Sequence, residues 1–488
     1  MNKEAGILMP LASLPSNIGV GNFGKKSYEF INYLFKCGFK IWQILPLNPL
    51  GYSHSPYQPF SSLAIDEIYI DLSDLYKRGY LEEEYSYLEK EKRIDYEGIR
   101  NFLLPILKDA YQKAKIKEKD DINSFSISHT WAIQYAIFKV LKEKNEGRVW
   151  NRWPSIDIEA VINPGSFKTY YDDDYSFWIW VEMTLYREWK ELKEFANKKG
   201  IRIMGDVPFY VGFDSIDVLT NQDCFMLDKN SKEPSLVAGV PPDYFSKEGQ
   251  RWGNPVYNWD YLKEHNFSFL IERLKGNAEL YDVLRLDHFR AFDTYYEIPA
   301  KEKNAIKGEW KLSPGYEFFD AFLKELPNVE IVAEDLGELR EEVYVLRDHF
   351  SFPGMNVIEF TFIDSEINHT FDGRKENQVS YIGTHDNLPF KAFFNSLNET
   401  TKDIYIKRLK ELGIVYKNIN EGIIKYVLSL PSKYSILSMC DLLSLGEEAR
   451  INEPGTLNAL NWTWRLRDYC QFKVKLPIFR KCISESNR

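Results

Sequence analysis

The sequence predicts an α/β fold, a (β/α)8 barrel carrying large subdomain insertions, and three observations predict it. Short apolar runs recur along the chain, separated by amphipathic helical stretches. Runs of that kind are the pattern of parallel strands buried on both faces and joined by crossover helices. Asp206, Asp287 and Glu334 each stand at the C-terminal end of such a run, followed by loop residues. An open doubly wound sheet is the other fold these runs allow. A barrel, however, collects its active site from the ends of several strands on one face, which is where the acids sit. The third observation is length. A barrel needs roughly 250 residues, so about half of the 488 residues must lie in loops and subdomains.

Six strands are expected in order: Gly6–Met9 (GILM), Ile41–Pro46 (IWQILP), Ile201–Asp206 (IRIMGD), Val283–Asp287 (VLRLD), Glu330–Glu334 (EIVAE) and Tyr381–Thr384 (YIGT). The expected organisation is a single catalytic barrel domain over 1–488. Insertions at approximately 50–200, 207–280 and 388–450 would form subdomains around its C-terminal face. The charge runs LEEEYSYLEKEKR (81–93) and KAKIKEKDD (113–121) read as solvated helix faces.

Gly19-Val-Gly-Asn-Phe-Gly24 matches the GxGxxG dinucleotide pattern, which requires a strand running directly into the glycines and an acid about 20 residues later. Pro10 and Pro15 intervene after the first strand, and no Asp or Glu occurs between Phe30 and Ile65. The glycines therefore read as a turn into a helix over Lys25–Phe35. No Walker loop or HExxH motif occurs, and the dispersed histidines lack metal-ligand spacing. No organic cofactor or metal is expected.

The net charge of −10 disfavours nucleic acid and anionic membrane surfaces and does not oppose a neutral sugar. Aromatic residues make up 15% of the chain; their rings stack on sugar faces or fill a core. Five scattered cysteines without a CxxC pair suggest reduced thiols and a cytoplasmic location. The apolar start is broken by Pro10, and no run approaches the ~18 residues of a membrane span.

Asp287 sits in Arg285-Leu-Asp-His-Phe-Arg290. Strand residues two apart share a face, so Arg285 is expected beside Asp287, lowering its pKa and keeping it ionised as a nucleophile must be. Glu334 emerges from an apolar strand, and desolvation there would raise its pKa and let it hold a proton for a leaving group. Asp386 follows the last strand in Gly383-Thr-His-Asp-Asn387. Each has an ordinary structural reading alone: a strand-end salt bridge, a helix-initiating acid, a turn Asp-Asn pair. Together, at the ends of separate strands, they match the two carboxylates that cleave a glycosidic bond, one attacking and one protonating.

The chain resembles, over nearly its full length, the 4-α-glucanotransferase family known as amylomaltase or disproportionating enzyme, a relative of the α-amylases. The matching stretches run in the family's order: GILMPLASLPSNIGVGNFG, WQILPLNPLGYSHSPYQPFSS, GDVPFYV, VAGVPPDYFSKEGQRWGNPVYNWD, RLDHFRAF, VAEDLG, GTHDN and ARINEPGT–NWTWRL. The resemblance implies Asp287 as nucleophile, Glu334 as acid/base and Asp386 as the carboxylate that binds the distorted sugar. It implies that Arg285, His288 and His385 hydrogen-bond that sugar, that Tyr52, Ser55 and Tyr57 line the cleft, and that Asp206 belongs to the substrate-binding set. Pro241–Gln250 would be a mobile loop over bound glucan, with Asp243, Gln250 and Trp252 as contacts and Asn452 on a second loop opposite. Two stretches depart from the family: Leu388-Pro389-Phe390 replaces small polar residues, and Leu460 replaces Gly, which bears on outer subsites.

The implied reaction is a retaining double displacement between an α-1,4-glucan donor and a glucose or maltodextrin acceptor. It requires the two reacting carboxyls to lie ~5–5.5 Å apart. The alternative is an α-glucan hydrolase on the same residues. A non-catalytic glucan-binding protein would not need all three acids.

Overall fold

The structure, a computed structural model, describes residues 3–51, 53–87, 92–165, 172–242, 246–367 and 376–488. Eight parallel strands form its centre: β1 (Glu4–Leu8), β2 (Ile41–Gln43), β3 (Arg202–Val207), β4 (Val283–Leu286), β5 (Ile331–Ala333), β6 (Gly354–Val357), β7 (Gln378–Tyr381) and β8 (Tyr434–Ser438). They pair in the order β6-β7-β8-β1-β2-β3-β4-β5. The seam between β5 and β6 is bridged by Ala333 N–H donating to Pro353 O at 2.8 Å. Beside it, Met355 N–H donates to Asp335 Oδ1 at 2.7 Å. The sheet is thereby drawn round into the expected barrel.

The barrel interior follows from strand alternation. One buried cluster takes Leu8, Ile41, Met204, Val283, Val332, Val357, Val379, Tyr381, Tyr434 and Ile436, at least one side chain from each strand. Side chains from alternate strands stacking in layers make such a centre a packed core. Residues one position off, such as Ile7, Trp42, Ile203, Leu284, Ile331 and Leu437, turn outward into the larger core beneath the helices. The helix Lys25–Cys37 covers the β1–β2 side and packs on the C-terminal helix Cys470–Glu485, with the Phe30 and Phe472 rings 6.0 Å apart.

Long segments separate β2 from β3, β3 from β4 and β7 from β8. The first holds helices Tyr96–Lys117, Lys119–Ser128, Thr130–Lys144 and Asp172–Lys198. A four-stranded antiparallel sheet takes Gln250–Pro255, Leu236–Val240, Thr294–Pro299 and Glu309–Leu312, in that spatial order.

Several expected elements differ. The strand expected at Tyr381–Thr384 lies three residues earlier, at Gln378–Tyr381, because 382–389 turn across the barrel mouth. β6 and β8 were not expected; Asn356, Ser435 and Ser438 interrupt their apolar patterns yet are buried. Of the charge run 81–93, the described residues are turn and coil; 113–121 is helical apart from Glu118. The helix expected over Lys25–Phe35 is present and runs to Cys37, where Gly38 (φ 92°) ends it.

Candidate active site

Strand alternation brings the site together. Met204 points into the barrel, so Asp206, two residues on, does too; Val283 likewise sets Arg285 and Asp287, and Val332 sets Glu334. Asp206 and Arg285 are also register partners across β3 and β4. The result is a row of charge at the C-terminal rim. Arg285 Nη1 lies 2.6 Å from Asp206 Oδ1 and 3.0 Å from Asp287 Oδ1. Asp206 is fully buried, whereas the Asp287 side chain keeps 28% exposure towards the cleft. Burial opposes the charge on Arg285, but the two carboxylates outweigh it and hold its pKa well above the usual value.

Asp287 corrects one expectation. Arg285 does pull its pKa down, but burial is the larger effect, and Asp206 and Asp386 add to the rise, so the carboxyl is pushed up to about 6. Burial is the main reason, and sharing adds to it: one guanidinium serves both Asp206 and Asp287, with the shorter contact to Asp206. Glu334 behaves as its apolar strand implies. Burial, and then the charge of Asp287, push it up to about 8. Glu334 Oε2 accepts from His288 N–H at 2.7 Å and Oε1 from Leu336 N–H at 3.2 Å, which fix the side chain over the end of β4.

A second group lies on the opposite side. Tyr57 O–H donates to Asp206 Oδ2 at 2.8 Å, and its oxygen lies 2.9 Å from His385 Nε2. Because the phenol proton goes to Asp206, His385 must present Nε2–H. The Tyr57 and His385 rings stack at 5.6 Å with 17° between their planes. Asp386 Oδ1 accepts from Asn452 Nδ2 at 2.6 Å, and Oδ2 lies 3.4 Å from His385 Nε2. The Asp386 side chain remains 41% exposed, open to the cleft.

His288 adopts a left-handed backbone (φ 50°), stepping the chain away from the strand directly after Asp287. Burial, then Arg290, push its imidazole down to about 4, so it is neutral at pH 7. Trp252 meets it edge-on at 4.9 Å, and Trp252 Nε1 donates to Gln250 Oε1 at 3.2 Å. The His288 Nε2 atom has no hydrogen-bond partner among the described residues. A neutral imidazole with a free ring nitrogen suits a sugar hydroxyl.

The structure thus brings together Asp287, Glu334, Asp386, Asp206, Arg285, Tyr57, His288, His385, Trp252, Gln250 and Asn452. Ser55 does not contact the carboxylates; its Oγ accepts from Tyr57 N–H at 3.3 Å and shapes the turn that presents Tyr57. Tyr52 and Asp243 lie outside the described residues, as does part of the loop expected to cover the glucan.

Two residues were missed by sequence reasoning. Trp462 places its ring 5.6 Å from Tyr57 and 5.9 Å from His385, walling the cleft. Its place in Asn461-Trp-Thr-Trp464 was the available sequence signal; the left-handed φ of 66° that turns it to the cleft appears only in the fold. Gln58 Nε2 donates to Trp252 O at 2.8 Å, tying the Tyr57 turn to the antiparallel sheet. The departures from the family pattern add no group to the carboxylate cluster described above. Phe390 is buried against Phe393, Phe394 and Tyr405, and Leu460 is half-exposed. Among the described residues no cluster of His, Cys, Asp or Glu is arranged to hold a metal ion.

Two carboxyl groups on neighbouring strand ends, one ionised and one protonated near neutral pH, can attack and protonate opposite sides of one bond.

Comparison with known proteins agrees with this geometry. A family model described as 4-alpha-glucanotransferase matches residues 9–471. A 4-alpha-glucanotransferase from Clostridium butyricum is 39% identical over 472 residues, covering 94% of this chain and 96% of its own. One from Aquifex aeolicus is 39% identical over 483 residues, 96% of each chain. The solved amylomaltase from Streptococcus agalactiae, in complex with acarbose, superposes over 100% of both chains with TM-score 0.93 and 33% identity.

Proposed function

The chain belongs to the 4-alpha-glucanotransferase family, and from that membership we infer that it transfers segments of an α-1,4-glucan to the 4-hydroxyl of glucose or another α-1,4-glucan. It is a transglycosylase. In the mechanism we propose, ionised Asp287 attacks the anomeric carbon while Glu334 donates its proton to the departing glucan. A β-linked glycosyl-enzyme results; Glu334, now the base, takes the proton from the acceptor 4-hydroxyl and an α-1,4 bond re-forms. Asp386 binds the distorted sugar, assisted by Asn452 and His385, and His288, Arg285, Asp206 and Tyr57 hold its hydroxyls. Gln250 and Trp252, with Ser55, Tyr52 and Asp243, complete the substrate-binding set on this reading.

The observation that carries the mechanism is the placement of the two carboxyls at neighbouring strand ends, Asp287 3.0 Å from Arg285 Nη1 and Glu334 held 2.7 Å from the His288 N–H, with burial pushing Asp287 up to about 6 and Glu334 to about 8. At pH 7 that leaves the first mostly ionised and the second mostly protonated, the states the first step needs. A covered cleft favours a sugar acceptor over water, the part we assign to the Pro241–Gln250 loop. We read the chain as a single catalytic barrel whose insertions build the cleft walls. The cytoplasm is the proposed location, in keeping with five free cysteines, four of them buried. No helix among the described residues is long and apolar enough to cross a membrane.

Incubation with maltotriose alone tests the reading. Glucose together with longer maltodextrins, at a constant number of reducing ends, is expected. Rising reducing ends with only shorter products would overturn it in favour of a hydrolase.

A further inference from the structure

The turn that carries Asp386 rests on buried acids that the mechanism does not use. Glu359 lies in the first turn of the helix Ile358–Ile367, directly after β6. An acid at that position ordinarily faces solvent and complements the helix dipole. Glu359 instead is turned inward and only 6% exposed. Its carboxyl packs against the start of the turn: a Cβ built on Gly383 would sit 3.1 Å from Glu359 Oε1 and 2.9 Å from Asn387 Cβ. A side chain at 383 would collide with Asn387 Cβ and press on the acid, which accounts for the glycine.

From Glu359 a chain of polar contacts leads to the cleft. Asn387 lies against the Glu359 carboxyl: Asn387 Cβ and Glu359 Oε1 flank the same point, 2.9 and 3.1 Å from a Cβ built on Gly383, and Asn387 opposes the rise of the Glu359 pKa. Asn387 Oδ1 accepts from both Thr384 N–H and Thr384 Oγ1 at 2.9 Å. Thr384 Oγ1 in turn accepts from Asp386 N–H at 3.3 Å. An amide whose oxygen is committed to Thr384 must turn its NH2 the other way, towards Glu359. At the far end of the turn, Asp441 Oδ1 accepts from Phe390 N–H at 2.7 Å.

We propose that Glu359 is a positioning residue for Asp386: its buried carboxyl fixes which way the Asn387 amide faces, and through Asn387 and Thr384 it holds the turn that presents Asp386 to the sugar. The proposal rests on the reading of Asp386 as a substrate-binding carboxylate. Burial, then the neighbouring Asp441, push the Glu359 pKa well up, against smaller opposing pulls from Asn387 and Arg450. Tyr405 also faces it, and its phenol is pushed up by burial and by Glu359. Burial thus favours the protonated form of Glu359, which is close in shape and charge to a glutamine. Its Oε1 has no hydrogen-bond partner among the described residues.

A glutamine should replace Glu359 in this role and an apolar side chain should not, which separates it from the role of an ion-pair partner or general base. Glu359→Gln is expected to keep kcat for maltotriose disproportionation within about threefold of the parent. Glu359→Leu is expected to lower kcat by about 10²-fold, the cost of a small misplacement of a group that acts on the transition state, with KM changed far less. In an Asp386→Asn background, Glu359→Leu should cost nothing further, since it acts through Asp386. An equal loss in both backgrounds, a fully active Glu359→Leu, or a Glu359→Gln as impaired as the leucine variant would each overturn the proposal. A fully active Asp386→Asn would instead overturn the reading of Asp386. Thermal unfolding checks that the variants fold. Should Glu359→Leu not fold, Asn387→Leu breaks the same chain one link later: the same loss of kcat supports the proposal and parental kcat overturns it.

Discussion

Glu334 Oε2 accepts a 2.7 Å hydrogen bond from the main-chain N–H of His288, so the acid at the end of β5 is tied to the backbone immediately after Asp287. The charge of Asp287 raises the Glu334 pKa while the His288 N–H opposes that rise, so the two carboxyls titrate as a pair. Asp287 at about 6 and Glu334 at about 8 should give kcat/KM a bell-shaped pH profile, with limbs near those values and a maximum near pH 7. The acid limb is protonation of the nucleophile; the alkaline limb is loss of the acid's proton. Rates on maltotriose from pH 5 to 9 would check it, and a rate still rising beyond pH 8 would count against this division of roles. Glu334→Gln should remove the alkaline limb and lower the rate by about 10²–10⁴-fold.

Asp287→Asn keeps the side-chain volume and removes the nucleophile. It should abolish turnover while leaving a folded protein that still binds maltodextrin, measured by calorimetry and thermal unfolding. Undiminished activity would refute the assignment.

Tyr57 joins the two sides of the cleft with one hydroxyl, 2.8 Å from Asp206 Oδ2 and 2.9 Å from His385 Nε2. Tyr57→Phe keeps the ring on His385 but leaves two buried polar partners short of a bond. A cost of about 1–3 kcal/mol is expected, read as a lowered Tm, together with reduced kcat/KM. A variant matching the parent in both would show that the hydroxyl contributes nothing.

Glu182, on the helix Asp172–Lys198, is 1% exposed and accepts from Ile65 N–H at 3.1 Å. Burial pushes its pKa well above the usual range. A raised folded pKa means stability fully present below the unfolded pKa and lost as pH rises through the folded one. Glu182→Gln keeps an acceptor for Ile65 and removes the titration. The Tm advantage of this variant over the parent should therefore widen from pH 6 to pH 9; a gap that stays constant or narrows would contradict the sign.

Much of the fold was legible where strands are apolar throughout. β1 to β5 fall within a few residues of the runs that predict them, because strands buried on both faces leave near-continuous apolar sequence. β6 and β8 escaped notice because their polar residues are buried with partners: Asn356 and Ser435 bond to other segments, and Ser438 caps the helix that follows β8. Ser435 Oγ, for example, donates to Val427 O at 2.8 Å. The site was legible as residue types at strand ends. Trp462 was not, since its approach to Tyr57 depends on a left-handed turn more than 400 residues along the chain.

By itself the sequence determined which side chains share a face: Arg285 with Asp287, Val332 with Glu334, through the two-residue alternation of a strand. The tertiary structure decided how those groups titrate. Reading Arg285 beside Asp287 predicts a depressed carboxyl; in the folded chain Asp206, 79 residues before Arg285, takes the closer share of the same guanidinium. Burial by the other strand ends then raises Asp287 to about 6. Adjacency along a strand is a local property, whereas desolvation and the sharing of one charge between two carboxylates exist only once distant strands have closed into the barrel.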